Sequence, residues 1–170
     1  PEAFEDKVRR ASGTVYVDFA IQALVAGDLA HVPALARLGA VSFELFLADV
    51  PPPLLAGDNR AVLEALERIA AIGGVAGMTC GDDAIIQARL ARLHAAGDKS
   101  PRAFARSRPP IAEALGVARA GLLAAEARAR VHFRQISCRE SITMLAALRR
   151  MHPGISAETT PHNLLLTEDE

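Results

Sequence analysis

Only two cysteines, Cys80 and Cys138, occur among the 170 residues, and tryptophan is absent. Two cysteines are too few for a disulfide-stapled secreted scaffold, so we predict a reducing compartment, the cytoplasm. An excess of charge is also lacking, because 19 Lys and Arg residues oppose 20 Asp and Glu residues and leave a net charge of -1. A chain this close to neutral has no overall electrostatic attraction for nucleic acid or for an anionic membrane. We therefore expect neither of these as a partner.

Long apolar runs are missing too. No stretch reaches the roughly 18 apolar residues that suggest a membrane-spanning helix, and the acidic start from Pro1 to Asp6 does not resemble a signal peptide. A chain of about 150 residues can hide roughly 70% of its unfolded surface in one core. Because no repeat or flexible linker interrupts the pattern, residues 1–170 are predicted to form a single domain. Both ends fall within or beside helical patterns, so this domain is expected to be truncated at both ends.

Short apolar and β-branched runs alternate with helical patterns along the chain. Asp28, Asp58 and Asp82 each precede such a helical pattern as a candidate N-cap, and 137–140 reads as a capping box. Helices are predicted over 82–96 and 111–129, with a loop over 97–101. Strand followed by helix, repeated with short loops, is typical of a parallel α/β fold. Periodicity alone leaves open whether the strands form a doubly wound open sheet or part of a barrel. The five predicted strands are Val15–Ala20, Ala40–Leu47, Val75–Cys80, Arg130–Ser137 and Ile155–Thr160.

Three segments resemble the cyclic amidohydrolases, the group of dihydroorotases, allantoinases and hydantoinases. The stretch from Ile155 to Glu168 resembles the family segment that contains E-x-x-P-H-x-L-x-L. The residues from Arg108 to Glu113 match its R-P-x-x-x-E segment, and those from Gly39 to Phe46 are similar to its G-x-x-x-F-K-x-F strand. The order and spacing of these matches cover essentially the whole chain.

The resemblance implies a partial (β/α)8 barrel in which this chain supplies strands three to seven with their helices. It also implies zinc as the metal and a cyclic amide as the substrate. The family carries a carboxylated lysine on strand four and one metal-binding histidine on each of strands five and six. The positions that match are Glu44, Thr79 and Gln135. The family's H-x-H pair and its strand-eight aspartate have no counterpart within residues 1–170.

All three of these positions depart from the family pattern. Two metal ions held close together polarise an amide and activate a bridging water, and zinc is bound by Cys, His and carboxylate groups. Glu44 offers two oxygens on a shorter arm than a carboxylated lysine, so it is either a metal ligand or a polar, salt-bridged residue. Thr79 and Gln135 are poor zinc ligands. His162, in the loop after the last strand, is a candidate for shaping a substrate pocket or for anchoring the loop.

Two hypotheses follow for the function. In the first, the chain is a degenerate or incomplete cyclic amidohydrolase that is inactive and retains no cofactor. In the second, it belongs to an active hydrolase that uses Glu44 as a ligand and obtains its other ligands from outside residues 1–170. Exposed edges of parallel strands invite pairing, so we expect the edges of strands three and seven to be covered either by neighbouring residues outside 1–170 or by self-association into a homo-oligomer.

Overall fold

In the computed structural model, which describes residues 1–167, five parallel strands form one sheet in the order β1-β2-β3-β4-β5. Each strand pairs only with its neighbours in the chain, so every connection is a crossover that returns to the same end of the sheet. The strands are β1 Gln22–Leu24, β2 Ser42–Phe46, β3 Val75–Thr79, β4 Arg130–Phe133 and β5 Ile155–Ala157.

Within residues 1–167, eight α-helices precede, connect and follow the strands. Within the described residues, no helix has the length and apolar character needed to cross a bilayer. Short 3-10 turns occupy Leu29–His31 and Pro52–Leu54. The helices are α1 Glu2–Ser12, α2 Val32–Arg37, α3 Asn59–Ala71, α4 Asp83–Ala95, α5 Pro101–Ser107, α6 Pro110–Glu126, α7 Arg139–Met151 and α8 Pro161–Leu165.

The predicted aspartate caps are confirmed. The Asp58 carboxylate accepts a hydrogen bond from the Ala61 amide at 2.9 Å, and Asp82 accepts one from Ile85 at 3.0 Å. Asp28 caps the 3-10 turn that leads into α2 rather than α2 itself. An N-cap carboxylate satisfies a backbone amide that has no partner within its helix. These three residues therefore set the starts of the connections after β1, β2 and β3.

The prediction of a strand at Val15–Ala20 is wrong, because the first strand begins at Gln22. A strand needs a hydrogen-bonded neighbour, and in this region the pairing with β2 starts only where the Val41 amide donates to the Ile21 carbonyl. The preceding residues are irregular, and Tyr16 is fully exposed. Their β-branched composition predicted a strand that has no pairing partner among the described residues.

Three further details differ from the sequence-based expectation. The capping box at 137–140 is wrong, because Cys138 is the N-cap of α7 and makes no side-chain cap hydrogen bond. The Ser137 hydroxyl donates to Glu113 instead. Helix α8 occupies the predicted loop after the last strand, and α5 begins at Pro101, the last residue of the predicted loop 97–101. Each of these short helices starts at a proline. Glu168, the last residue of the family-like segment, lies outside the described residues.

The core lies between one face of the sheet and the helices. Phe43, Leu45, Met78 and Phe133 point from β2, β3 and β4 into this layer, and each is at most 1% exposed. Alanine and glycine line the inner side of α6, which lets that helix approach its neighbours closely. At Gly116 a Cβ atom would lie 2.5 Å from the backbone nitrogen of Gly81. The abundant small residues therefore serve helix–sheet packing.

Candidate functional site

The opposite face of the sheet carries polar side chains. Because side chains alternate along a strand, the register places Glu44 of β2, Gly77 of β3, His132 of β4 and Ser156 of β5 side by side in one row. We call the face that carries Gln22, Glu44, Thr79, His132 and Ser156 the polar face. Parallel α/β folds place their chemistry at the carboxyl ends of the strands, and Thr79 is the last residue of β3.

Glu44 is the buried centre of this face. Its side chain is only 5% exposed, yet both of its oxygens have partners. The Thr79 hydroxyl donates to Oε1 at 2.6 Å, and Nη1 of Arg134 lies 3.2 Å from Oε2. The same Nη1 lies 3.2 Å from Oε1 of Gln22. A buried carboxylate is tolerated when it is both paired with a cation and hydrogen-bonded, and Glu44 satisfies both conditions.

Gly77 makes this arrangement possible. It lies between Glu44 on β2 and His132 on β4, in the row described above. A Cβ atom at this position would lie 2.5 Å from Oε2 of Glu44 and would also overlap the Gln22 amide. Real side chains do not approach so closely, so a side chain here would displace both groups. Because Gly77 has no side chain, Gln22 and Glu44 can occupy this space and Arg134 can reach across it.

A second group of contacts continues the row toward β5. His132 Nδ1 is 2.9 Å from the Ser156 hydroxyl, and His132 Nε2 is 3.3 Å from Oε2 of Glu158. The other oxygen of Glu158 lies 3.5 Å from Nε of Arg134. Arg134 therefore joins the buried carboxylate of Glu44 to the more exposed carboxylate of Glu158.

Of the residues that the sequence singled out, the structure brings only Glu44 and Thr79 together. Gln135 follows β4 in the left-handed region, with φ 55°, and is exposed. Its backbone carbonyl accepts a hydrogen bond from Asn163 at 3.5 Å, but no hydrogen bond within residues 1–167 joins its side chain to Glu44 or Thr79. His162 is exposed on α8 and pairs with the Thr160 hydroxyl at 3.1 Å. Of the two interpretations of Glu44, metal ligand or salt-bridged polar residue, its contacts with Thr79 and Arg134 correspond to the second.

Sequence reasoning missed Arg134 and Gln22. A signal for Arg134 was present, since it follows His132 by two residues and alternation then places both on the same face. Gln22 had no such signal, because its strand was predicted at 15–20. The contacts of Arg134 reach residues 90 and 112 positions away. Pairings over such distances follow from the sheet register and not from any local pattern.

The residues present do not fit the binuclear metal centre that the family resemblance implies. Both oxygens of Glu44 are already engaged, and the cation beside them is a guanidinium. No group of three or more His, Cys, Asp or Glu side chains within residues 1–167 could hold a metal ion. Thr79 donates its hydroxyl proton to Glu44, and zinc in proteins is bound by Cys, His and carboxylate groups rather than by a hydroxyl.

A separate cavity of about 280 Å³ lies beside the carboxyl ends of β3 and β4 and is lined by both cysteines. Glu113 anchors it, accepting a hydrogen bond from the Ser137 hydroxyl at 2.5 Å. Removal from water raises the pKa of the Cys80 thiol well above its ordinary value, and the negative charge of Glu113 adds to this effect. Burial also raises the pKa of Cys138. Both thiols are therefore protonated and weakly nucleophilic near neutral pH.

The family-like R-P-x-x-x-E segment supports this same region. Arg108 forms an ion pair with Asp49 from the loop after β2, and its guanidinium stacks 3.6 Å from the Phe104 ring centroid. Glu113, at the other end of the segment, holds the backbone amide of Ser137 at 3.1 Å. The segment thus ties the loops after β2 and β4 to the start of α6.

The chain is similar to known proteins in both sequence and fold. The chain is 30% identical to the allantoinase of Rubrobacter xylanophilus, covering 99% of this chain and 38% of that protein. It is 31% identical to the dihydroorotase of Methanosarcina acetivorans, covering 97% of this chain and 36% of that protein. The solved structure of the L-hydantoinase (dihydropyrimidinase) from Arthrobacter aurescens superposes with a TM-score of 0.92 at 29% identity, over 99% of this chain and 38% of that one. No protein-family model matches the sequence.

The chain thus spans less than two fifths of the length of these relatives. The likeness to the hydantoinase structure, together with the five-stranded parallel sheet, confirms the predicted partial (β/α)8 barrel. The segments that first indicated the resemblance lie where this architecture places them, on β2, before α6 and after β5. On the combined evidence of sequence and fold, the chain belongs to the cyclic amidohydrolase family.

Proposed function

We propose that this chain is a degenerate member of the cyclic amidohydrolases that does not carry out metal-dependent ring opening. One observation carries the proposal: Nη1 of Arg134 lies 3.2 Å from Glu44, the residue at the family's carboxylated-lysine position. In this interpretation a permanent cation built into the chain balances the carboxylate that a metal would otherwise balance.

The charges support this proposal. The guanidinium group is a permanent cation. A divalent ion at Glu44 would have to displace Arg134 or share the carboxylate with it, and like charges at such short range repel strongly. Displacement would also cost the Thr79 and Arg134 hydrogen bonds to a carboxylate that is nearly fully buried. Zinc is therefore not proposed as a cofactor at this position.

The competing function is an active hydrolase of cyclic amides that takes its other ligands from outside residues 1–170. It would require Glu44 to turn from Arg134 to a metal ion. In both proposals the outer edges of β1 and β5 require cover, either by the rest of a longer protein or by a second copy of this chain. The polar face would be a scaffold surface in the first case and a substrate surface in the second.

Metal content and turnover separate the two functions. The whole protein that contains this chain would be purified with added zinc, and bound metal would be measured by elemental analysis. Ring opening of allantoin, hydantoin, dihydroorotate and dihydrouracil would then be assayed. The hydantoinase from Arthrobacter aurescens, treated identically, is the matched positive control. We expect neither stoichiometric zinc nor turnover.

A variant series makes the test specific to Arg134. The substitutions Glu44→Lys, Thr79→His and Gln135→His restore the family's residue types while Arg134 is retained, and a fourth substitution, Arg134→Leu, removes the guanidinium. We expect zinc to bind only to the fourfold variant. Stoichiometric zinc with turnover in the unmodified protein would refute the proposal, as would zinc bound equally well by the threefold and fourfold variants.

A further inference from the structure

Ser156, His132 and Glu158 form a hydroxyl–imidazole–carboxylate relay on the polar face, next to the Glu44 site and joined to it through Arg134. The Ser156 hydroxyl and His132 Nδ1 are 2.9 Å apart, and His132 Nε2 and Glu158 are 3.3 Å apart. Each ring nitrogen therefore has its own partner. A nucleophile within hydrogen-bond reach of a base that a third group orients is the geometric signature of nucleophilic catalysis.

The carboxylate biases the direction of the hydrogen bond between Ser156 and His132. Its negative charge lies 3.3 Å from Nε2 and favours the tautomer that carries the ring proton there. In that tautomer Nδ1 is the acceptor, and Ser156 donates to it. The alternative acceptor for this hydroxyl, the Val131 carbonyl, lies farther away at 3.4 Å. The arrangement thus places the serine proton on the path to the imidazole, as general-base activation requires.

The backbone holds the three side chains in place. His132 and Ser156 are direct partners in the β4–β5 register. The Glu158 amide donates to the Phe133 carbonyl at 2.9 Å, and the Ile136 amide donates to the Glu158 carbonyl at 2.9 Å. Arg134 contacts the second oxygen of Glu158. Because the groups project from paired strands, their separation is set by the sheet rather than by a mobile loop.

The nucleophile and its base differ in their exposure to solvent. Ser156 is exposed, whereas His132 is half-buried. Nothing within residues 1–167 covers the hydroxyl, while the base behind it is sheltered. Neither thiol of the chain offers the same reactivity, because burial raises the pKa of both.

We propose that Ser156 is a metal-independent nucleophile for activated carboxylic esters, with His132 as its general base and Glu158 as the positioning residue. With p-nitrophenyl acetate, Ser156 Oγ would form a bond to the acetyl carbon as its proton moves to His132 Nδ1. The bond from that carbon to the phenolic oxygen breaks, and p-nitrophenolate leaves with the electron pair. His132 then passes this proton to solvent. Water attacks the acetyl-serine as His132 Nδ1 takes one of its protons. The bond from the acetyl carbon to Ser156 Oγ breaks, the proton returns from His132 to Oγ, and acetic acid leaves and ionises to acetate.

The chain contains its own control. Thr160 and His162 form a second hydroxyl–imidazole pair, with Oγ1 and Nε2 3.1 Å apart, but no carboxylate within residues 1–167 pairs with His162. Ser156 lies on β5, and Thr160 lies between the end of β5 and the start of α8. If proximity to imidazole were sufficient, both hydroxyls would be acylated. If the orienting carboxylate is required, only Ser156 would be.

The experiment treats the protein with p-nitrophenyl acetate and with a fluorophosphonate probe, with and without EDTA. Release of p-nitrophenolate is followed by absorbance, and the labelled residue is located by peptide mass spectrometry. We expect label on Ser156 and none on Thr160, unaffected by EDTA. The His132→Gln variant should lose on the order of 100-fold in labelling rate, which is the typical contribution of general-base catalysis.

Two more variants keep the test decisive. In Glu158→Gln the amide can donate to Nε2 and so permit the wrong tautomer, and we expect labelling to fall at least tenfold. In Ser156→Cys the label should transfer to the new thiol when iodoacetamide replaces the fluorophosphonate. Equal labelling of Ser156 and Thr160, or a rate unchanged in His132→Gln, would overturn the proposal. Loss of activity with EDTA would also overturn it, while leaving the zinc and ring-opening test above to decide the fate of the Glu44 site.

Discussion

The two faces of the sheet are built on the same five strands but are stabilised by different forces. On the helix-covered face, Phe43, Leu45 and Phe133 are at most 1% exposed and make no polar contact. On the polar face, Glu44 is almost as well buried, but it is held by a hydroxyl and a guanidinium. Apolar burial contributes in proportion to area and needs no direction. A buried ion pair contributes only if each group finds its partner in the correct geometry.

Each contact on the polar face therefore requires a particular pair of residues, and it tolerates substitution less well than a contact on the apolar face. Neighbouring side chains can shift to refill a small cavity between helices and sheet. No such adjustment replaces a missing cation next to a buried carboxylate. Substitutions on the two faces should therefore change the free energy of unfolding by different amounts, with the largest loss on the apolar face.

Truncation of Phe133 to alanine should cause the largest loss of stability. Phe133 is fully buried beneath the helices, and removal of a buried phenylalanine typically costs about 3–5 kcal/mol. The free energy of unfolding would be measured by urea denaturation. Leu165→Ala is the matched control, because this side chain is 76% exposed, and its effect should stay within about 0.5 kcal/mol. An equal loss in the two variants would contradict the burial described here.

Substitution of Arg134 by methionine should cost about 2–3 kcal/mol of unfolding free energy. The estimate lies below the 3–5 kcal/mol seen when a fully buried pair is broken, because the Arg134 side chain is 34% exposed. The double variant Glu44→Gln with Arg134→Met should recover part of this loss, since it leaves no unpaired buried charge. Additive losses in the double-variant cycle would show that the two groups do not interact.

Replacement of Thr79 by valine should have the smallest effect, about 1 kcal/mol. The side chains have nearly the same shape, so the change removes mainly the 2.6 Å hydrogen bond to Glu44. Thr14→Val is the control, because the Thr14 hydroxyl bonds the Arg10 carbonyl on an exposed helix end. We expect thermal or urea denaturation to register Thr79→Val and to miss Thr14→Val. The reverse order would argue against Glu44 as a buried acceptor.

The architecture could be predicted from the sequence wherever local patterns determine it. Asp58 and Asp82 mark helix starts because capping is an interaction over three residues. The strands from β2 to β5 lie within their predicted ranges, since each is a short apolar run between turns. The strand at Val15–Ala20 failed because composition does not reveal whether a pairing partner exists. Resemblance to the cyclic amidohydrolases then supplied the barrel, which periodicity alone left undecided.

The candidate site could be predicted only in part. The family resemblance located Glu44 and Thr79 as neighbours, and the structure places their side chains 2.6 Å apart. It did not locate Arg134, because no motif of the family requires an arginine there. It also could not show that Gln135 turns away, since this depends on a left-handed backbone conformation at a non-glycine residue. The relay of Ser156, His132 and Glu158 depends on sheet register, which is a property of the fold rather than of residue spacing.

The reach of Arg134 also has a consequence for how the chain folds. Its hydrogen bonds close loops of 90 residues to Glu44 and 112 residues to Gln22. Contacts of such long range reward the chain only after the intervening segments are in place. A slip of β4 by one residue would turn Arg134 toward the helices and leave Glu44 buried without its cation. The ion pair of Arg134 and Glu44 therefore favours the native strand register, because it forms only after the strands are aligned. A sheet in which β4 is shifted by one residue would lack it.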